Sequence, residues 1–402
     1  VMQGRGAAVG VLRDVAARRL LVRARRGRCR SPVTMLVRLN GRVLVRRVLR
    51  FARWQTVGAR MRTTGGDHEV GISVGGHSRG CRPELRVDRV ELRAAPRAVA
   101  VGSALRWSEI SADRYRTTFL REFDSLTPEN EMKMDVIRPR ESKFSFSTAD
   151  QMVDFAQRTG KAVRGHALVF GAQLPGWLTG RAWTRATLLR TMREHVAAMV
   201  SHFRGRVAEW DVVNEPLAPD GTLARNIWAI HIGPAYVEEA LSAAHDADPR
   251  AKLFINETGA ERSDAKFEGL LALAADLRAR GVPLHGIGLQ NHVDLDLFPS
   301  RAALAGRMRR IEALGLEVQV TEMDVSTTSR PGPLEARLAR QAEVYAESAS
   351  ACNEVPACTR FSVWGVGDRH TWIGTEQRPL LFDTDYAAKP ALDAVRSAFA
   401  PR

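Results

Sequence analysis

Between residues 33 and 93 apolar and polar positions alternate with a period of two, and after residue 99 the pattern lengthens into amphipathic stretches. In the first region "TMLVRLNGRVLVRRV", "RWQTVGARMR", "HEVGISVGG" and "ELRVDRVELR" read as short strands, punctuated by Asn40-Gly41, Gly65-Gly66 and Gly75-Gly76. Such alternation with Gly-rich turns predicts a small all-β sandwich over 33–93. Residues 1–32 stand apart as an Arg-rich N-terminal segment, and 94–98 read as a linker.

From residue 99 apolar strand candidates alternate with helix-length segments eight times: "AVAVGSALRW", "FDSLTPEN", "AVRGHALVF", "VAEWDVVNE", "KLFINE", "LHGIGLQNH", "EVQVTEMDV" and "RFSVWGVGD". Amphipathic helices such as "SADRYRTTFLREF" and "PAYVEEALSAAHDA" lie between them. Eight βα units in about 300 residues predict an α/β chain, a (β/α)8 barrel over 99–402 behind a small all-β domain. A doubly wound open sheet would want a Gly-rich phosphate fingerprint after a strand, and none follows.

The predicted strands end in chemistry-bearing groups. Glu129-Asn130 ends the second, His166 lies in the third and Asn214-Glu215 ends the fourth. Gln290 and His292 close the sixth, Glu322 and Asp324 the seventh, and Trp364 and Asp368 the eighth. A barrel brings all these ends to one mouth, where catalysis occurs. One of them alone reads as a helix cap; six converging ends do not.

Charge alters this picture only at the N-terminus. The net charge is +15, but residues 1–100 carry 23 Arg, no Lys and 6 acids, so the remainder is close to neutral. Any electrostatic binding therefore belongs to the N-terminal quarter, and nucleic acid is not the expected partner. No apolar run reaches membrane-spanning length. No CxxC pair or HExxH occurs, so no metal is assigned. Cys29 and Cys81 sit early and Cys352 and Cys358 late, which fits two disulfides in an oxidising compartment or four buried thiols. Residues 1–30 contain no apolar core of a secretion signal.

Glu215 and Glu322, on different strands, form the natural working pair. Glycoside hydrolysis needs one carboxyl to protonate the leaving oxygen and another to attack or assist at the anomeric carbon. Indoles for sugar faces, with Asn, Gln, His and Lys for hydroxyls, suit the same substrate class.

Over residues 99–400 the chain resembles glycoside hydrolase family 10, the retaining endo-β-1,4-xylanases. The resemblance rests on "LTPENEMKMD", "RGHALVF", "QLPGW", "WDVVNEPL", "DPRAKLFINE", "GIGLQNHVD", "VQVTEMDVS", "VWGVGD" and "PLLFDTDYAAKPAL", in order. It implies that Glu215 is the general acid/base and Glu322 the nucleophile, with Asn214 on the sugar 2-hydroxyl. It implies further that His292 and Asp324 orient Glu322, and that His166 and Asp211 tune the acid/base side. Glu129, Asn130, Lys133, Gln173 and Gln290 would hold sugar hydroxyls, and Trp364 and Trp372 would wall the cleavage subsite. It also implies a Cys352–Cys358 disulfide, which by elimination leaves Cys29 and Cys81 as the other expected pair.

Three departures from the family pattern bear on specificity. "FGAQ" replaces "WHxQ", so Phe170 and Gly171 stand for Trp and His; "NETG" at 256–259 replaces "NDYN", so Thr258 removes a phenol; and Met134 replaces a Trp. Residues 33–93 resemble small calcium-dependent xylan-binding β-sandwich modules. The Asn-Asp of those modules is missing where this chain reads "GGHSRG", so calcium is not assigned, and a glycan binder and an inert spacer both fit. The resulting expectation is a secreted, monomeric, cofactor-free xylanase acting on xylan or a related β-1,4-linked polysaccharide, without a nucleic-acid or membrane partner. The alternatives are a same-fold glycosidase on another β-glycan and a non-catalytic glycan-binding protein.

Overall fold

The computed structural model describes residues 2–3, 7–12, 19–27, 32–50, 52–60, 68–75, 84–93 and 99–400, and divides into an N-terminal and a C-terminal unit at residue 97. Cys29, Cys81, the 94–98 linker and residues 76–80 of "GGHSRG" lie outside the described residues.

The N-terminal unit contains strands β1 (Met2–Gln3), β2 (Ala7–Leu12), β3 (Arg19–Arg26), β4 (Val33–Leu39), β5 (Arg42–Leu49), β6 (Gln55–Arg60), β7 (His68–Gly75) and β8 (Glu84–Arg93). They form two antiparallel four-stranded sheets, ordered β1-β8-β3-β6 and β2-β7-β4-β5. Leu20, Val22 and Ala24 of one sheet and Met35, Val37, Ile72 and Val74 of the other share one core. Both sheets thus draw on strands inside residues 1–32, which the sequence reading set apart as an Arg-rich segment. The physical reason is visible in β3: Arg23 and Arg25 alternate with buried Val22 and Ala24, so the arginines occupy the outward positions of a strand. Asn40 and Gly41, both at positive φ (47° and 79°), close the β4–β5 hairpin as a two-residue turn, whose twist matches the flanking strands.

The C-terminal unit is the barrel. Its strands are β9 (Ala100–Leu105), β10 (Ser125–Pro128), β11 (Ala162–Phe170), β12 (Glu209–Asn214), β13 (Lys252–Glu257), β14 (Gly286–Leu289), the short β15 (His292–Asp294), β16 (Glu317–Ser326) and β17 (Cys358–Val363). All pair in parallel, and β17 returns to β9, so eight strands close with β15 running beside the upper half of β16. Amphipathic helices including Asp113–Glu122, Ser147–Thr159, Arg185–His202, Asp264–Ala279 and Leu334–Glu354 cover the outside. Their starts are fixed by side-chain caps where the chain provides them: Thr184 with Thr187 as a capping box, Ser263, and Ser300 before Arg301–Glu312. Gly165 is required by packing, because a Cβ there would lie 2.1 Å from the buried ring of Trp210. None of the described helices is long and apolar enough to cross a membrane.

The lower barrel interior is polar rather than aliphatic. Arg164, fully buried, donates from Nε to Asp211 Oδ2 (2.9 Å), from Nη2 to Asp211 Oδ1 and from Nη1 to Gln319 Oε1 (2.5 Å). Below it Arg360 holds Glu209 at 2.8 Å. Such pairs specify a register because breaking one strands a buried charge, which costs about 3–5 kcal/mol. This network sets Asp211 rigidly beneath the mouth. Cys352 and Cys358 are bonded, closing the turn between Leu334–Glu354 and β17.

Candidate active site

The C-terminal ends of the barrel strands surround a cavity of about 390 Å³ lined by Lys133, His166, Phe170, Ala172, Gln173, Asn214, Glu215, Thr258, Gln290, His292, Glu322, Trp364 and Trp372. Both predicted working carboxylates face it.

Glu322 lies within β16 and is almost fully buried. Its Oε1 accepts from Asn256 Nδ2 at 2.6 Å and lies 3.8 Å from His166 Nδ1; its Oε2 is 3.3 Å from His292 Nε2. Burial opposes ionisation, but the neighbouring His166 and the hydrogen bond and charge of His292 outweigh it and hold the carboxyl below its ordinary value. His292 Nδ1 in turn sits 3.0 Å from Asp324 Oδ2, which also accepts from Trp372 Nε1 at 2.7 Å. Burial disfavours the imidazolium, yet Asp324 and Glu322 together raise His292 well above the usual histidine range. The result is an ordered chain from indole to carboxylate to imidazole to carboxylate.

Glu215 sits just past β12, and its backbone adopts a positive φ of 54°. Its Oε1 accepts from Gln290 Nε2 at 2.9 Å and Asn214 Nδ2 at 3.3 Å, both neutral amides. Asn214 Oδ1 accepts from Asn256 Nδ2 at 2.8 Å, so one amide joins the Glu215 side of the cavity to Glu322. Asp211 lies behind His166, with Oδ2 at 3.0 Å from Nδ1. Burial pushes Asp211 up, and Arg164 and His166 bring it below its ordinary value.

The predicted hydroxyl-binding residues divide. Asn130 Oδ1 accepts from Lys133 Nζ (3.1 Å) and Gln173 Nε2 (3.0 Å), which presents both donors at the cavity while Asn130 stands behind them. Burial lowers Lys133 despite the nearby Glu322 and Glu129. Glu129 lies off the lining: both its oxygens are held by Arg106, at 2.7 and 2.8 Å. Asp368 is also off the lining, clamped by Lys389 Nζ (3.0 Å) and Leu380 N (2.8 Å), so it ties the last loop rather than serving the mouth. Trp364 is buried edge-on to His166, with centroids 5.1 Å apart, whereas Trp372 is half exposed beside His292.

A model of one family, Glycosyl hydrolase family 10, matches residues 91–398. The chain belongs to glycosyl hydrolase family 10. Among its family-10 relatives, endo-1,4-beta-xylanase B of Thermotoga neapolitana is 39% identical over 294 residues, 72% of this chain and 84% of that protein. Beta-1,4-xylanase of Dictyoglomus thermophilum is 39% identical over 307 residues, 72% of this chain and 86% of that protein. The crystal structure of native xylanase 10B from Thermotoga maritima superposes with a TM-score of 0.72 at 37% identity, covering 75% of this chain and 95% of that one. Xylanase 10B from Thermotoga petrophila, solved in complex with xylobiose, gives 0.72 at 36% identity, covering 75% and 94%.

Of the departures from the family pattern, Gly171 is not among the residues lining the cavity, whereas Phe170 is. A Cβ at Gly171 would lie 2.9 Å from the Cβ of Asn226, so that side chain already fills the adjoining space. Thr258, in contrast, lines the cavity. Sequence reasoning missed Asn256, Arg164 and Glu257. Asn256 is the next-to-last residue of β13 and pairs in register with Asn214 at the end of β12, a juxtaposition that only the folded barrel reveals.

Proposed function

We propose that this chain is a retaining endo-1,4-β-xylanase in which Glu215 is the general acid/base and Glu322 the nucleophile. In the first step Glu215 gives its proton to the leaving glycosidic oxygen as Glu322 attacks the anomeric carbon, forming a covalent glycosyl-enzyme. In the second, Glu215 takes a proton from water, which displaces Glu322. The observation that carries this reading is the contrast between two carboxyls at one cavity. Glu322 is hydrogen-bonded to the His292 imidazole, with His166 3.8 Å away, and is held below its ordinary value, whereas Glu215 receives only neutral amides, the asymmetry that separates an attacking group from a proton donor.

Asn214 and Gln290 stand where a sugar hydroxyl beside the reacting carbon would bond, and Lys133 and Gln173 serve the next sugar. Trp364 and Trp372 supply the apolar wall. The relatives' printed activities support xylan as the substrate. The Cys352–Cys358 bond supports a secreted, oxidised protein, taken here as a monomer. For the N-terminal sandwich we propose an accessory carbohydrate-binding role, supported by exposed Trp54 with the Arg25 guanidinium 4.7 Å from its ring.

The test is reducing-sugar release from xylan, with cellulose and mixed-linkage β-glucan alongside and Glu322→Ala as control. Xylan cleavage abolished by the substitution is expected. Turnover of another glycan in preference to xylan would transfer the assignment to a different β-glycan, and no turnover from folded protein would contradict the enzyme reading.

A further inference from the structure

Glu257 is a fully buried carboxyl at the end of β13 that has no part in the reaction as described above. It lies beside the segment that presents Glu215. That segment, Glu215-Pro216-Leu217, leaves β12 through a left-handed backbone conformation that a residue with a Cβ adopts only when its surroundings enforce it. Proline has no N–H, so the segment offers two backbone donors. Glu215 N donates to Asn256 O at 2.8 Å, the last rung of the β12–β13 ladder. Leu217 N donates to Glu257 Oε2 at 2.9 Å, so a side chain takes over where the ladder stops. The other oxygen, Oε1, accepts from Thr258 N at 3.0 Å and from Lys266 Nζ at 2.9 Å, which fixes the carboxylate from a helix, Asp264–Ala279.

We infer that Glu257, oriented by Lys266, is a positioning residue that holds the Glu215 turn and thereby aims the acid/base carboxyl. This rests on the role given to Glu215 above. Burial pushes the Glu257 carboxyl up to about 7 against the pull of Lys266. Glutamine in place of Glu257 cannot serve all three donors: with its oxygen toward Leu217 N, its amide N–H groups face Thr258 N–H and Lys266.

The test uses the full chain and two aryl xylobiosides, one with a phenol leaving group and one with dinitrophenol. The poor leaving group needs a proton from Glu215; the good one departs without it. In Glu257→Gln, kcat/KM on the phenyl glycoside should fall at least about tenfold, as misplacing a general acid does, with the dinitrophenyl value held within about twofold. Lys266→Met should give the same leaving-group dependence and serves if Glu257→Gln fails to fold. Equal losses on both glycosides, in protein with wild-type circular dichroism, would overturn this inference alone. Wild-type protein inert toward both would overturn the functional reading and this inference with it.

Discussion

Asn256→Ala tests whether the barrel holds Glu322 ionised through the amide that the sequence did not advertise. Asn256 is fully buried and makes three bonds: Nδ2 to Glu322 Oε1 (2.6 Å) and Asn214 Oδ1 (2.8 Å), and Oδ1 from Thr321 Oγ1 (2.7 Å). A hydrogen bond to a charged group is worth about 1.5–3 kcal/mol. At about 1.36 kcal/mol per pKa unit, removing it raises Glu322 by roughly 1–2 units. The two neutral bonds add about 1 kcal/mol each, so unfolding free energy falls by about 3–5 kcal/mol in all. The sign follows from Glu322 being held low: its contribution is present above its unfolded value and lost as pH falls through its folded one. Raising the folded value moves that loss to higher pH. The assay is kcat/KM against pH on dinitrophenyl xylobioside, whose acidic limb reports the nucleophile. That limb should move up by about 1–2 units. An unmoved limb in folded Asn256→Ala would refute the argument that this amide stabilises the charged form.

Three further outcomes follow from the same geometry. Gly171→His, which restores the family residue, should cost about 1–3 kcal/mol in urea unfolding because Asn226 occupies the space, and pairing it with Asn226→Gly should recover much of that. The double substitution Cys352→Ala, Cys358→Ala opens a short loop and should lower stability by about 2 kcal/mol with turnover at room temperature unchanged. His292, raised by Asp324 and Glu322, stabilises the fold fully below its unfolded value, and that contribution disappears as pH rises through its raised folded value. The stability gap between wild type and His292→Gln, measured by urea titration, should therefore narrow toward alkaline pH.

The barrel was legible because six of its eight strand candidates ended in groups that make sense only at a shared mouth, and the N-terminal β4–β5 hairpin because Asn40-Gly41 specifies its turn by backbone preference alone. What the sequence concealed was pairing. Glu129 and Asp368 close their predicted strands as Glu322 does, yet Arg106 and Lys389, distant in the chain, take them out of the cavity. Arg164 sits in a recognisable motif, but that a guanidinium is wholly buried under the site depends on Asp211 and Gln319 arriving from two other strands. In the N-terminal unit the density of arginine hid β3, although Leu20, Val22 and Ala24 already alternated with the charged positions.

The central claim is that Glu322 becomes covalently attached to the sugar. Incubating the protein with a dinitrophenyl xylobioside carrying fluorine beside the anomeric carbon slows the second step and traps the intermediate. Mass spectrometry of the digest should find one fluoro-xylobiosyl group on the peptide containing Glu322, at that residue, and none in Glu322→Ala. A label on another carboxylate, or an active enzyme that never acquires one, would contradict the account.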